Sequence, residues 1–184
     1  MTTNPADLVK PPVVVPRDDS HDKFVTTLKQ AGYGVIHTAL TRTVTLPDAE
    51  RLTAPDLWQA EWPGGVASIL LPASQLTADT VPLGLTKVGC TVNRLEIYTT
   101  AAVEKLPEVI AQSWPSVGVV VVTASSVGRA LVELVEPLGW RRQKLVALGK
   151  PTARTLEVLG HPAHAVASSP TPEAVLEAVE SLVA

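Results

Sequence analysis

Five valines occupy the six positions from Val117 to Val122, and the run passes through Thr-Ala-Ser-Ser straight into a helix-like pattern, "VGVVVVTASSVGRALVELV" over residues 117–135. A β-branched run with no polar alternation fits a strand buried on both faces, because neither face is left for water. Such a strand needs helices on both sides, and the helix that begins directly after it supplies one of those covers. This one stretch therefore predicts an α/β fold. It also sets Thr123, Ser125 and Ser126 at the carboxyl end of a buried strand.

The rest of the chain continues the alternation. "PVVVPR" reads as a short buried strand, and "DSHDKFVTTLKQAGYG" as a helix with Asp18, Asp19 and Ser20 as cap candidates, a stripe of Phe24, Val25 and Leu28, and a stop near Gly32. "GVIHTAL" returns as a second strand, so the first βαβ unit ends near Val44. Residues 46–65, "LPDAERLTAPDLWQAEWPGG", are polar and carry three prolines, which predicts connecting structure with at best a short helix around Leu57–Trp62. "VASILLP" then reads as a strand, "TADTVPLGLTKVG" as a helix interrupted early by Pro82, and "TVNRLEIYT" as a strand leading through Thr99 and Thr100 into a second connection. Beyond residue 135 come a strand in "QKLVALG", a helix over "PTARTLEVLG", a short strand "HAVAS" and a terminal helix "TPEAVLEAVESLV" with Thr171 as N-cap and Pro172 at the first helical position.

Two segments echo each other. An apolar strand ending in Pro16 or Pro72 leads to a helix, then to Leu-x-x-x-Gly at Leu28/Gly32 or Leu85/Gly89, then to a strand with a Thr-containing exit. Two copies of one βαβ pattern predict two similar lobes of parallel sheet with flanking helices.

Composition narrows the function classes. With 184 residues, 46% apolar and 18% charged, the chain is globular and large enough to bury a core without staples. Its net charge of −3 and scattered Lys and Arg argue against a nucleic-acid partner, and 4% aromatics against a base-stacking platform. The single Cys90 excludes an internal disulfide and is expected as a core or helix-end residue in a reducing compartment. No basic segment leads into an apolar one near the start, and no apolar run reaches membrane-span length, so a cytoplasmic protein without a membrane partner is expected, acting as a monomer. His21, His37, His161 and His164 have no metal-ligand spacing, and no G-x-G-x-x-G or phosphate-loop motif occurs, so neither metal nor organic cofactor is expected.

In a parallel α/β sheet, ligands gather beyond the carboxyl ends of the strands, where helix N-termini present free N–H groups and a partial positive charge. Three such edges carry hydroxyl or basic residues: Arg17 and Ser20; Thr123, Ser125 and Ser126; and Lys150, Thr152 and Arg154. Together they describe a rim suited to carboxylate or phosphate. A plainer reading makes Ser126 and Thr152 helix caps, Arg129 and Arg154 solvated surface residues, and His161 a helper at a helix C-terminus.

The ordered set of motifs resembles uroporphyrinogen-III synthase. It comprises the opening strand ending in Arg17, "LEIYTT" with Tyr98, "VVVVTASSVGRAL" as a Thr-Ser-x-x-x-Val type turn, "LVALGKPTARTLEVLG" as a Gly-x-x-Thr-Ala-x-x-Leu-x-x-x-Gly element, and "SSPTPEAVLEAV" as the ending. The resemblance implies two flavodoxin-like lobes joined by a two-stranded linker, the chain starting in one, building the other and returning. Lobe 1 would span 1–44 with 117–184, and lobe 2 with its linkers 45–116. It also implies closure of hydroxymethylbilane to uroporphyrinogen III, with loss of water, inversion of the last pyrrole ring and no cofactor. Such a substrate carries many carboxylates, and the resemblance implies an inter-lobe cleft that binds them.

By the same resemblance Tyr98 faces the cleft as a proton donor to the departing hydroxyl. Ser125, Ser126, Pro151, Thr152 and Ala153 would bind the acid arms, and Arg17 and Lys150 would add charge; the rim of strand ends adds Thr123 and Ser20 to the expected substrate-binding residues. The chain departs from the family pattern in holding the Thr-Ser and Gly-x-x-Thr-Ala elements once rather than twice, so the second lobe is expected to be incomplete. The alternative function is a non-catalytic module of the same fold that binds tetrapyrroles or other polyanions.

Overall fold

The computed structural model describes residues 10–17, 22–46, 68–87 and 89–183. In chain order its elements are β1 (Val13–Val15), α1 (Lys23–Gln30), β2 (Val35–His37), β3 (Thr41–Thr45), β4 (Ser68–Ser74), α2 (Thr80–Lys87), β5 (Thr91–Ala102), α3 (Glu108–Ser113), β6 (Val119–Val122), α4 (Ser125–Val135), β7 (Lys144–Ala147), α5 (Lys150–Val158), β8 (Ala165–Val166) and α6 (Pro172–Val183). The chain divides into two compact units, Met1–Thr41 with Ala102–Ala184, and Arg42–Ala101.

The first unit holds a parallel sheet in the order β2-β1-β6-β7-β8. The four valines of β6 are all fully buried and divide between two cores by the period-2 rule. Val120 and Val122 pack with Val14, Leu145 and Ala147 under Leu131 of α4, Leu156 of α5 and Ile110 of α3. Val119 and Val121 pack with Val13, Val15 and Val146 under Leu28 of α1 and Val175 of α6. The valine run is unbroken because both faces of the strand are core.

The stops of α1, α2 and α5 share one device. Gly32, Gly89 and Gly160 all have positive φ, at 86°, 88° and 79°. After each, a backbone N–H reaches back to a leucine carbonyl: Tyr33 to Leu28 (3.1 Å), Cys90 to Leu85 (3.1 Å) and His161 to Leu156 (2.9 Å). This is the Schellman pattern, which needs a residue free of the Cβ penalty at the turn. The Leu-x-x-x-Gly echo is thus a helix stop used three times, and in its first two uses it joins parallel neighbours, β1 to β2 and β4 to β5.

The second unit holds a three-stranded sheet in the order β3-β5-β4 with α2 beside it. β5 runs longer than the motif "TVNRLEIYT", to Ala102. Pro82 does not interrupt α2: it sits in the first turn, where its missing N–H has no intrahelical partner to lose, and Leu83 N–H already bonds Asp79 O at 2.9 Å.

Several local expectations change. "GVIHTAL" forms strand only over Val35–His37, and Thr41–Thr45 is a separate strand of the other sheet. The second connection contains a helix, α3, followed by a 3-10 turn at Trp114–Ser116. It is held by tertiary contacts: Trp114 is 1% exposed, its indole N–H donates to Gly139 O at 3.0 Å, and Gln143 donates to Trp114 O at 2.8 Å. Asp22 caps α1, its Oδ1 accepting from Phe24 N–H at 2.9 Å, whereas Asp18, Asp19 and Ser20 lie outside the described residues, as does the short helix expected around Leu57–Trp62. At the C-terminal helix the expected cap holds, with Thr171 Oγ1 accepting from Ala174 N–H at 3.3 Å.

Candidate functional site

In the first unit β6 lies between β1 and β7, so the carboxyl ends of these three strands are neighbours on one edge. After β6 the chain enters α4 with Ala124 at the N-cap, and after β7 it enters α5 with Gly149 at the N-cap. Neither cap residue offers a side-chain acceptor. The first intrahelical bonds run from Gly128 N–H to Ala124 O and from Ala153 N–H to Gly149 O, both 3.0 Å. The earlier N–H groups, those of Ser125, Ser126 and Val127 on α4 and of Lys150 and Thr152 on α5, have no intrahelical acceptor.

This overturns the cap reading of Ser126 and Thr152. Both sit inside their helices, and Thr152 is the third residue of α5 and 5% exposed. A cap must stand before the first turn with extended backbone, and here Ala124 and Gly149 take that place. Among the described residues no side chain caps the N-terminal donors of either helix.

The two helix starts are tied together. Thr155 Oγ1 donates to Ser125 Oγ at 2.9 Å and also lies 3.1 Å from Pro151 O, while Ser125 Oγ lies 3.3 Å from the same carbonyl. Thr155 escaped the sequence reading, since nothing in "PTART" marks it until α4 and α5 are side by side. Gly128 permits that approach: a Cβ there would stand 3.3 Å from Leu156 Cδ2 and 3.4 Å from Val122 Cγ1. Lys150 is exposed at the first turn of α5, and a groove of about 340 Å3 runs from it along Ala153, Arg154 and Glu157 toward Ala163 and Val166.

Arg17, at the end of β1, is drawn into the structure of α1. Its Nε lies 2.8 Å from Asp22 Oδ2, the carboxylate that caps that helix, and its guanidinium stands 5.4 Å from the Phe24 ring. The charge expected for a ligand is thus paired with a buried acid. Ser20 lies outside the described residues. Tyr98 belongs to the second unit, on β5, and is 38% exposed. Thr123, Ser125, Ser126, Lys150, Pro151, Thr152 and Ala153 therefore form one edge of the first unit, while Tyr98 stands on the other unit.

A larger hollow of about 540 Å3, with Lys10, Arg142 and Lys144 at its rim, lies at the opposite, amino ends of the strands beside Leu182 and Val183 of α6. Cations at a helix C-terminus match its dipole without any ligand. Among the described residues no group of three or more His, Cys, Asp or Glu is placed to hold a metal ion, and no helix is long and apolar enough to cross a membrane. His161 closes α5 through its N–H, and its ring lies 4.4 Å from that of Trp140.

The family model of uroporphyrinogen-III synthase HemD matches residues 47–177. No curated protein matches the chain in sequence. Among solved structures, a mutant uroporphyrinogen III synthase from the extremely thermophilic bacterium Thermus thermophilus aligns at TM-score 0.63 and 14% identity, covering 93% of this chain and 98% of that one. The uroporphyrinogen-III synthetase of Helicobacter pylori aligns at TM-score 0.63 and 15% identity, covering 94% and 99%. At such identities the likeness is one of fold.

Proposed function

The chain belongs to the uroporphyrinogen-III synthase family, and on that premise we propose that it is a hydro-lyase that closes hydroxymethylbilane to uroporphyrinogen III, with loss of water and inversion of the last pyrrole ring. The observation that carries this reading is the pair of uncapped helix N-termini, α4 and α5, bridged by Ser125 and Thr155. Two such termini side by side form a cradle for carboxylates, the groups that this substrate carries in number.

In this reading the free N–H groups of Ser125, Ser126 and Thr152 receive acid arms, with the Ser125 hydroxyl held at a fixed angle by Thr155. Lys150 adds a flexible positive charge at the mouth of α5. Pro151, which has no N–H to offer, stands second in α5 with φ already helical and leaves its carbonyl to orient the two hydroxyls. Arg17 acts indirectly, by holding the Asp22 cap.

Tyr98 is the proton donor to the departing hydroxyl, which converts a poor leaving group into water. Most of the rate then comes from holding the ends of a flexible chain near their closing geometry, an effect that needs no cofactor. The test is incubation of the protein with freshly made hydroxymethylbilane. Formation of the type III isomer is expected. Type I alone, the product of spontaneous closure, would overturn the reading. Thermal stabilisation by the substrate without isomer selection would instead identify a binding module.

A further inference from the structure

We infer that Arg94 is a positioning residue for Tyr98, acting through the turn between β4 and α2; the inference rests on the reading of Tyr98 as proton donor. Arg94 stands on β5 with its side chain 22% exposed. Its Nη1 donates to Asp79 Oδ1 at 2.8 Å, and its Nη2 donates to Ser74 O at 3.0 Å and Gln75 O at 3.1 Å, with Glu96 Oε1 at 3.4 Å. The guanidinium thus grips both ends of the turn from Ser74 to Asp79. A planar fork reaches two carbonyls and a carboxylate from two separate nitrogens, whereas an ammonium presents its donors from a single point on a flexible stem.

The gripped turn leads directly to Tyr98. Gln75 N–H donates to Tyr98 O at 2.8 Å, and Ser74 stands opposite Tyr98 in the ladder. The register shifts here: Ala73 faces Glu96 and Ser74 faces Tyr98, so Ile97 is an extra residue on β5. A bulge of this kind bends its strand and re-aims the neighbouring side chain. On the other side of β5, Ile97 O accepts from Leu46 N–H at 2.9 Å. The Ile97–Tyr98 backbone is therefore fixed from both flanks. Arg94 locks the β4 flank, where a bulged ladder is short of regular bonds.

Asp79 adds a second reason for the arrangement. Its carbonyl accepts the first bond of α2 from Leu83 N–H, and its carboxylate stands at the start of that helix, so the ion pair ties the helix start to β5. Arg94 neutralises the carboxylate while holding the turn.

The test is a double-mutant cycle on the whole chain, with kcat and KM for type III formation measured for R94M, R94K, Y98F and R94M/Y98F. Arg94→Met should lower kcat roughly tenfold with KM within about twofold, because a small displacement of a reacting group costs rate rather than binding. Arg94→Lys should recover part of that loss. In the Tyr98→Phe background the further effect of Arg94→Met should vanish, since both changes act on one group. Equal losses in both backgrounds, or a raised KM with kcat intact, would overturn the inference while leaving Tyr98 in place. An unchanged kcat for Tyr98→Phe alone would instead remove the reading on which the inference rests. If Arg94→Met fails to fold, the same cycle is run with Arg94→Lys.

Discussion

Replacing Thr155 by valine tests the bridged helix starts most directly. The substitution keeps shape and removes one hydroxyl, so it deletes the 2.9 Å bond to Ser125 Oγ and the 3.1 Å approach to Pro151 O without opening a cavity. Thr155 carries one proton and can donate to only one acceptor at a time, so the loss is that of a single bond, about 1 kcal/mol. Thr and Val have similar helix propensities, and the half-buried site lets water reach Pro151 O, so nothing should enlarge this figure. For a chain of this size the midpoint should fall by roughly 2–4 °C.

The larger consequence is functional. Ser125 would then be held only by its 3.3 Å contact with Pro151 O, and its hydroxyl would no longer be fixed for an acid arm. A loss of about 1 kcal/mol in anchoring would appear as a KM raised roughly fivefold with kcat little changed. Urea melts and steady-state kinetics of T155V, S125A and the double variant supply both quantities. The reasoning fails if S125A raises KM and T155V does not, or if the two effects simply add, since the bridge requires coupling between them.

Two further outcomes follow from packing and from protonation. A Cβ at Gly118 would overlap Pro11 Cβ and stand 2.9 Å from Pro11 Cγ, so Gly118→Ala should cost about 1–3 kcal/mol in urea melts; Pro11→Gly should relieve part of it, and a melt unchanged by G118A would refute the close approach. His164 Nδ1 accepts from Leu145 N–H at 3.1 Å, and burial, then Lys144, lowers the pKa of the imidazole. The folded state thus favours the neutral ring, so this stabilisation is present above the unfolded value of about 6.5 and is lost as pH falls below it. His164→Asn, which offers an acceptor that does not titrate, should flatten that part of the stability profile, and an identical profile in the variant would refute the assignment.

The parts legible in the sequence were those set by local rules. The valine run implied a strand with two covered faces, Thr171-Pro172 marked a helix start, and Gly32 and Gly160 marked helix stops, each because period or backbone conformation fixes it within a few residues. The valine-run reading also put Ser125, Ser126 and Thr123 at a strand end. Other features arise only when distant segments meet. Thr155 gains its role because Gly128 lets α4 approach α5, and α3 is a helix because Trp114 finds Gly139 and Gln143. Hydroxyls near helix starts were read as caps by residue type, whereas the caps are Ala124 and Gly149, residues with no such signal. The clamp of Arg94 was equally invisible, since its partners lie on a different strand and turn.

The pairing of Val13 with Val119 has a consequence for how this chain is made. β1 emerges from the ribosome together with α1 and β2, but its other neighbour, β6, follows about a hundred residues later, which at ordinary synthesis rates is roughly 5–20 s. During that interval one edge of an all-valine strand has no native partner. The intervening Arg42–Ala101 segment belongs to the other compact unit and supplies no strand to this sheet. The vulnerable moment in the life of this protein is thus its synthesis. Changes that slow the arrival of β6 should reduce yield even where they leave the finished molecule as stable as before.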